Sequence, residues 1–271
     1  MITFSNCKIN LGLHVVRKRA DGYHDLETVF YPLPLQDIIE TVRSEETSVQ
    51  FNSTGITVDG PAEHNLCIKA YNLLKRSYDI PPVHLYLHKT IPAGAGLGGG
   101  SANAAFTLKL LNTKFNLGLS AERLLDLALQ LGSDCPFFIV NKPCMATGRG
   151  EILEPVDITQ AAGYTLAVVN PGIHISTPWA FGQITPGGNG RSIKEIVQRP
   201  VDTWKDELVN VFEEPVFKAH PEIAAIKQQL YDKGAVYAAM SGSGSTVFGF
   251  FDGDPLLEFP EEYMVRIIAQ I

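Results

Sequence analysis

Between Pro92 and Ala105 the chain reads Pro-Ala-Gly-Ala-Gly-Leu-Gly-Gly-Gly-Ser-Ala-Asn-Ala-Ala, with five glycines in the seven positions from Gly94 to Gly100. Glycines are costly to order and bring no side chains to pack, so such a run needs another return. Its flanks say where it sits. Upstream, Val83, Leu85 and Leu87 alternate with His84, Tyr86 and His88, the period of a half-buried strand. Downstream, Ser101 to Leu111 is rich in helix formers with apolar residues at helical spacing. The glycines therefore leave a strand and open a helix. The first N–H groups of a helix have no partner within it, and the macrodipole is positive there. With no side chains in the way, an anion can approach those donors closely, so the stretch is expected to cradle a phosphate.

Two phosphate loops fit parts of it. Gly94-x-Gly96-x-x-Gly99 matches the dinucleotide fingerprint, but that match on its own is weak. A dinucleotide fold would need a second strand ending in an acid about 20 residues on. Leu119 to Leu131 instead reads as a second helix capped by Ser120. Gly94-x-x-x-x-Gly99-Gly100-Ser101 is close to a Walker A loop, yet Gly100 stands where that loop carries its lysine. Any lysine must come from elsewhere. A purely structural glycine turn leaves the ordering cost without a return.

At 271 residues the chain is long enough for two modest domains, and 45% hydrophobic with 19% charged residues is ordinary for a globular protein. A net charge of −7 argues against a nucleic-acid or anionic-membrane surface. It leaves room for an anionic small molecule held by local lysines and backbone N–H groups. There is no basic-then-apolar leader and no apolar run of spanning length. Cys7, Cys67, Cys135 and Cys144 show neither metal-ligand spacing nor a disulfide framework, which fits a reducing cytoplasm. The seven histidines form no zinc pattern, and no acidic pair stands out as a metal site.

In chain order, Cys7 to Val16 alternates as a strand, with Ile9, Leu11, Leu13 and Val15 facing a core and Lys8, Asn10, Gly12 and His14 opposite. A lysine there is by default solvated. Tyr23 and His24, after an Asp-Gly turn, are either ordinary loop residues or a stacking platform for a base. Glu27 to Gln36, with Pro32 and Pro34, reads as an edge or bent strand, and residues 37–58 as a two-stranded hairpin. A helix follows near 65–75. Asp134, between Ser133 and Cys135-Pro136, suits a turn before an apolar strand at 137–139, with a general base as the functional alternative. A soft domain boundary is expected near 155–163. Beyond it come a strand at 165–170, a helix capped by Ser176 or Thr177, a loop at 185–192, helices near 203–212 and 221–233, and a last helix at 261–271. Strands at 235–240 and 246–251 are joined by Ser241-Gly-Ser-Gly-Ser245, either a plain hairpin loop or a second phosphate contact. Runs of strands and helices without regular alternation indicate an α+β architecture.

The lysine strand, the Pro92-x-x-x-Gly96-Leu97-Gly98-x-x-Ser101 loop and the late Ser-Gly-Ser-Gly-Ser turn, in that order, resemble the GHMP kinase superfamily, whose members phosphorylate small alcohols with ATP. Lys8-x-Asn10-Leu11, Arg19-Ala-Asp-Gly-Tyr-His24, Gly98-Gly-Gly-Ser101 and Gly132-Ser-Asp-Cys-Pro-Phe137 resemble one branch of it. That branch phosphorylates a cytidine-diphosphate-linked polyol on its 2-hydroxyl, on a non-mevalonate route to isoprenoid precursors.

The resemblance implies an α+β GHMP kinase fold of two domains. Residues 1–157 would resemble the second domain of ribosomal protein S5 and carry the ATP loop, and residues 158–271 would be ferredoxin-like. It implies Lys8 and Asp134 as the catalytic pair, against the bland reading of each. It implies ATP binding by Pro92, Ala93, Gly94, Ala95, Gly96, Leu97, Gly98, Gly99, Gly100, Ser101 and Ala102, with Lys89 and Asn65 near the nucleotide. Asn10, Tyr23, His24, Phe30, Thr177 and Phe181 would surround the second substrate, cytosine lying between Tyr23 and Phe181. Mg²⁺ would accompany ATP near Ser101, its protein ligands open. Small molecules are the implied partners, with no nucleic acid or membrane and the oligomeric state open. The rivals are another small-alcohol kinase of the superfamily, of mevalonate or homoserine type, and a nucleotide-binding regulator without turnover.

Overall fold

The computed structural model describes residues 1–58, 60–187 and 191–269. It opens with two long strands, β1 (Ile2–Lys18) and β2 (His24–Arg43). From Ser5 to Val15 every residue of β1 is buried. The polar side of that alternation, Lys8, Asn10 and His14, is thus as buried as the apolar side, and the default of a solvated lysine does not hold. β2 runs unbroken through Pro32 and Pro34.

The expected hairpin over 37–58 is corrected. β3 (Gln50–Gly55) does not pair with β2; β4 (Val83–Lys89) lies between them. β4 is antiparallel to β2, from Ile38 opposite His88 to Arg43 opposite Val83. It is parallel to β3, from Gln50 opposite His84 to Gly55 opposite Lys89. The physical reason is the connection. β3 and β4 are joined through α1 (Leu66–Lys75), the helical crossover that parallel neighbours require. The buried alternation of Val83, Leu85, Leu87 and Lys89 makes β4 the inner strand, while most of β3 is exposed.

α2 (Gly99–Lys114) follows the glycine loop and is buried nearly all round its first three turns. α3 (Ala121–Leu131) is capped by Ser120, whose side chain accepts from the Arg123 N–H. The apolar run after Asp134 is not a strand but a short helix, α4 (Cys135–Val140), ended by Asn141 at φ +52°. Pro136 in its first turn is pre-set for a helix, and six apolar residues have no periodicity that separates the two states. β5 (Cys144–Gly148) pairs with the amino-terminal part of β2, Leu26 opposite Gly148 to Phe30 opposite Cys144, and forms a hairpin with β6 (Ile152–Pro155).

Then come β7 (Thr165–Asn170), α5 (Thr177–Gly182) capped by Ser176, and α6 (Ile193–Val197). Of the loop expected at 185–192, residues 188–190 lie outside the described residues. The helix expected over 203–212 is one turn, α7 (Trp204–Glu207). It stops because β1 takes the following backbone: Leu13 N–H donates to Val209 and Val211 N–H donates to Leu13. α8 (Glu213–Ala219) was not anticipated, and α9 (Pro221–Asp232) ends before Gly234 at φ +95°. β8 (Tyr237–Met240) and β9 (Val247–Phe251) are antiparallel. The final helix expected at 261–271 is instead strand β10 (Met264–Ile268), antiparallel to β7 from Met264 opposite Asn170 to Ile268 opposite Leu166. Val265, Ile267 and Ile268 are β-branched, and the open edge of β7 offers them a ladder.

The chain divides into two compact units. One comprises 1–8, 32–93 and 98–141; the other comprises 9–31, 94–97 and 142–271. In the second, the strands run in the order β10-β7-β9-β8, all antiparallel, and their core includes Leu13, Val15, Val169, Phe212, Ile226, Leu230 and Met240. Among the described residues no helix is long and apolar enough to cross a membrane.

Candidate active site

In the first unit, β1 delivers Lys8 and α4 delivers Asp134. The lysine is 3% exposed and its Nζ lies 3.6 Å from Asp134 Oδ2. Burial pushes the Lys8 pKa below its ordinary value, and the charge of Asp134 works against that shift. Asp134 holds the N-cap position of α4 but in helical backbone geometry, and its side chain makes no capping hydrogen bond. A carboxylate not spent on the helix, one third exposed beside a buried ammonium, is free to meet a ligand. The turn expected here is present, closed by Cys135 N–H donating to the Gly132 carbonyl at 3.1 Å.

The helix end of the glycine loop presses on this pair. Gly98 caps α2 at φ +68°, and a methyl there would lie 3.1 Å from both Lys8 Cε and Phe138 Cζ. Gly99 and Gly100 open the helix with no acidic residue in the first turn, which leaves the positive end of its dipole unopposed. The Ser101 hydroxyl, in that same turn, hydrogen-bonds the buried Cys135 thiol, whose pKa burial pushes up to about 12. Ala102 N–H already bonds Gly98, so the donors open to an anion precede it.

Two residues matched to the nucleotide are engaged otherwise. Asn65 caps α1, its Oδ1 accepting from Cys67 N–H at 2.9 Å. Lys89 is buried and ion-paired with the fully buried Asp37, beneath the first turn of α2, where a methyl on Gly99 would lie 3.0 Å from its Nζ.

In the second unit, the middle of the loop meets the late serine-glycine turn. Gly96, at φ +78°, approaches so closely that a methyl there would lie 2.0 Å from the Ser241 carbonyl oxygen. Ser241 Oγ donates to Gly96 O at 2.8 Å, and Thr246 N–H donates to Ala95 O at 3.2 Å. Asn10 N–H donates to the same Ser241 hydroxyl, and the Asn10 amide reaches Thr28. Ser241 to Ser245 is therefore more than a hairpin loop: it buttresses the glycine loop, with Asn210 bonding the carbonyls of Met240 and Gly242 beneath it.

The Arg19–His24 turn is stiffened by Arg19 paired with Asp21 and Asp25. Of its aromatics, His24 lies on Phe181, with ring centroids 4.9 Å apart and planes 20° apart. Tyr23 is 54% exposed with the Arg149 guanidinium 4.8 Å over its ring. Thr177 pairs with Ser243, which brings α5 to the serine-glycine turn. Phe30 is in the core at 2% exposure.

Sequence reasoning missed Asp37, Asn103, Arg149 and Cys135. Asp37 alone had a readable signal: with Leu33, Ile39 and Thr41 it occupies the buried side of β2, where a bare carboxylate needs partners. Among the described residues no cluster of three or more His, Cys, Asp or Glu could hold a metal ion.

Residues 65–142 match the family model for the GHMP kinases N terminal domain, and 192–262 match that for GHMP kinases C terminal. The chain is 52% identical over 269 residues to the 4-diphosphocytidyl-2-C-methyl-D-erythritol kinase of Bacteroides fragilis, covering 98% of this chain and 95% of that one. It is 54% identical over 252 residues to the Parabacteroides distasonis protein of the same name, covering 93% and 92%. Among solved structures it is similar to a 4-(cytidine 5'-diphospho)-2C-methyl-D-erythritol kinase, at TM-score 0.78, 30% identity and 99% coverage of both chains.

Proposed function

This chain belongs to the GHMP kinase family, and from that premise we propose that it transfers the γ-phosphoryl group of ATP to the 2-hydroxyl of 4-diphosphocytidyl-2-C-methyl-D-erythritol, on the non-mevalonate route to isoprenoid precursors. The observation that carries the reaction is the Lys8–Asp134 pair against the α2 amino terminus. Relatives near half identical over almost the whole chain carry the substrate.

Phosphoryl transfer asks a protein mainly to position the reactants and neutralise charge. Asp134 accepts the proton of the attacking hydroxyl. Lys8, as ammonium, pairs with Asp134 and stabilises charge on the group in flight. The N–H groups of Gly98 to Ser101 hold phosphate oxygens, with Pro92 to Leu97 and Ala102 completing the loop. Lys89 and Asn65 support the nucleotide from behind through their Asp37 and α1 contacts. Asn10, Tyr23, His24, Phe30, Thr177 and Phe181 serve the cytidyl substrate, the His24–Phe181 stack offering its outer faces to the base.

The donors here suit magnesium that arrives with the triphosphate. With no acidic cage among the described residues, Mg²⁺ would take phosphate oxygens and waters together with Ser101 or Asp134, and when bound it would neutralise triphosphate charge. Residues 1–157 and 158–271 are taken as the two family modules, a reading supported by the family matches at 65–142 and 192–262 lying on either side of residue 157. The four buried, unpaired cysteines suit a cytoplasmic setting.

ADP release with Mg-ATP tests this, with the cytidyl polyol against mevalonate and homoserine. Activity on the cytidyl compound alone is expected. Activity on either control instead would move the chain to another branch of the family. ATP binding without turnover on any of the three would make it a regulator.

A further inference from the structure

The two stems of the glycine loop are held by a single buried carboxylate. Asp37 is wholly buried in β2, and each of its oxygens receives two donors. Oδ1 accepts from the backbone N–H groups of Thr90 (2.7 Å) and Ile91 (2.9 Å), the residues leading into Pro92. Oδ2 accepts from the Lys89 ammonium and from Asn103 Nδ2 (2.9 Å), on the second turn of α2. The Asn103 amide also reaches Ser5 Oγ at 2.8 Å, three residues before Lys8. One side chain thus sets the distance between the strand that enters the loop and the helix that leaves it.

A buried ion pair is a poor way to gain stability, since its desolvation offsets its attraction. It is a good way to fix geometry, because four directed donors around one carboxylate admit a single arrangement. The neighbouring apolar residues Leu33 and Ile39 show that β2 could have packed this position without charge. Lys89, pulled down by Asp37, lies directly under Gly99, at the end of α2 that faces an incoming phosphate.

We propose that Asp37 is a positioning residue for the nucleotide phosphates: through Lys89, the Thr90–Ile91 backbone and Asn103 it aims the backbone donors that open α2, while touching neither substrate. The proposal rests on the kinase reading above. It separates the phosphates from the rest of the ligands, which a role in stability alone would not do.

The test measures ATP, ADP and adenosine affinity by titration, the KM of both substrates, and Tm, for wild type, Asp37→Asn and Asn103→Ala. Asp37→Asn should weaken ATP and ADP by about tenfold, as expected for losing a charge-assisted hydrogen bond, with adenosine affinity and the cytidyl polyol KM changed by less than about twofold. Asn103→Ala keeps the ion pair and both backbone bonds, and should show the same pattern at about threefold. Equal losses for ATP and adenosine, or a lower Tm with unchanged ATP affinity, would overturn the proposal. If Asp37→Asn does not fold, an unchanged ATP-to-adenosine affinity ratio in Asn103→Ala overturns it alone. A wild-type protein that binds no ATP would instead sink the kinase reading.

Discussion

Lys8 is a charge in a place where solvation is denied, and its neighbours decide what that means. Because burial lowers its folded pKa below the ordinary 10.5, the unfolded chain holds a proton the folded chain gives up between those two values. Wild-type stability therefore gains a contribution as pH rises through that window. Lys8→Met removes the buried amine and leaves Asp134 partly solvated, so the variant should be inactive yet more stable than wild type at pH 7. Its advantage should shrink towards pH 10. Paired denaturation curves across that range check the sign, and an advantage that grew with pH would contradict it. Turnover of the wild type should fall as the same lysine loses its proton. Asp134→Asn keeps shape and loses the base: ATP titration should be nearly unchanged, while kcat drops by at least about 10²-fold. Unchanged kcat would remove Asp134 from the mechanism.

Among the elements, the turns carry the function and the helices and strands aim them. Gly96 and Gly98 both lie at positive φ, but their neighbours differ. A methyl at Gly98 meets side chains, Lys8 and Phe138, that can give way by a few tenths of an ångström. Gly98→Ala should therefore cost about 1–2 kcal/mol, mostly backbone strain, and lower kcat by moving Lys8. A methyl at Gly96 meets the Ser241 backbone carbonyl, which cannot yield without shifting the serine-glycine turn. Gly96→Ala should raise the KM for ATP more than Gly98→Ala does, and equal effects in steady-state assays would argue against the buttress. In the Arg19–His24 turn, the stack puts the weight on Phe181, which also packs edge-on against Phe212. Phe181→Ala should raise the KM for the cytidyl substrate and leave that for ATP unchanged. A rise confined to ATP would misplace the base pocket.

At the scale of the molecule, a chain of net charge −7 binds two anionic substrates. Attraction must then come from local donors rather than from the overall field. ATP at about 100 times its Kd should stabilise the protein by about 2.7 kcal/mol, seen as a higher Tm, and Asp134→Asn should show the same rise. A rise lost in Asp134→Asn would make that residue part of the nucleotide grip. β1, β2 and the glycine loop each contribute residues to both compact units.

Short-range chemistry was readable directly from the residues. The strand before the glycines, the helix after them, the caps at Ser120 and Ser176, and the stop at Gly234 depend only on neighbours a few positions apart. The roles proposed for Lys8, Asp134 and Ser241–Ser245 rest on motif order, since nothing local distinguishes a solvated lysine from a buried one. Tertiary structure decided what depends on distant partners. β4 entered between β2 and β3 because a helix crossover makes β3 and β4 parallel neighbours. The helix after Trp204 ended where Leu13 claimed its backbone. β10 became a strand because β7 had an open edge. Asp37 acquired four donors from segments up to 66 residues away, and His24 reached Phe181. Local sequence specifies which conformations a segment prefers; which one is kept depends on hydrogen bonds and contacts that exist only once the chain has closed on itself.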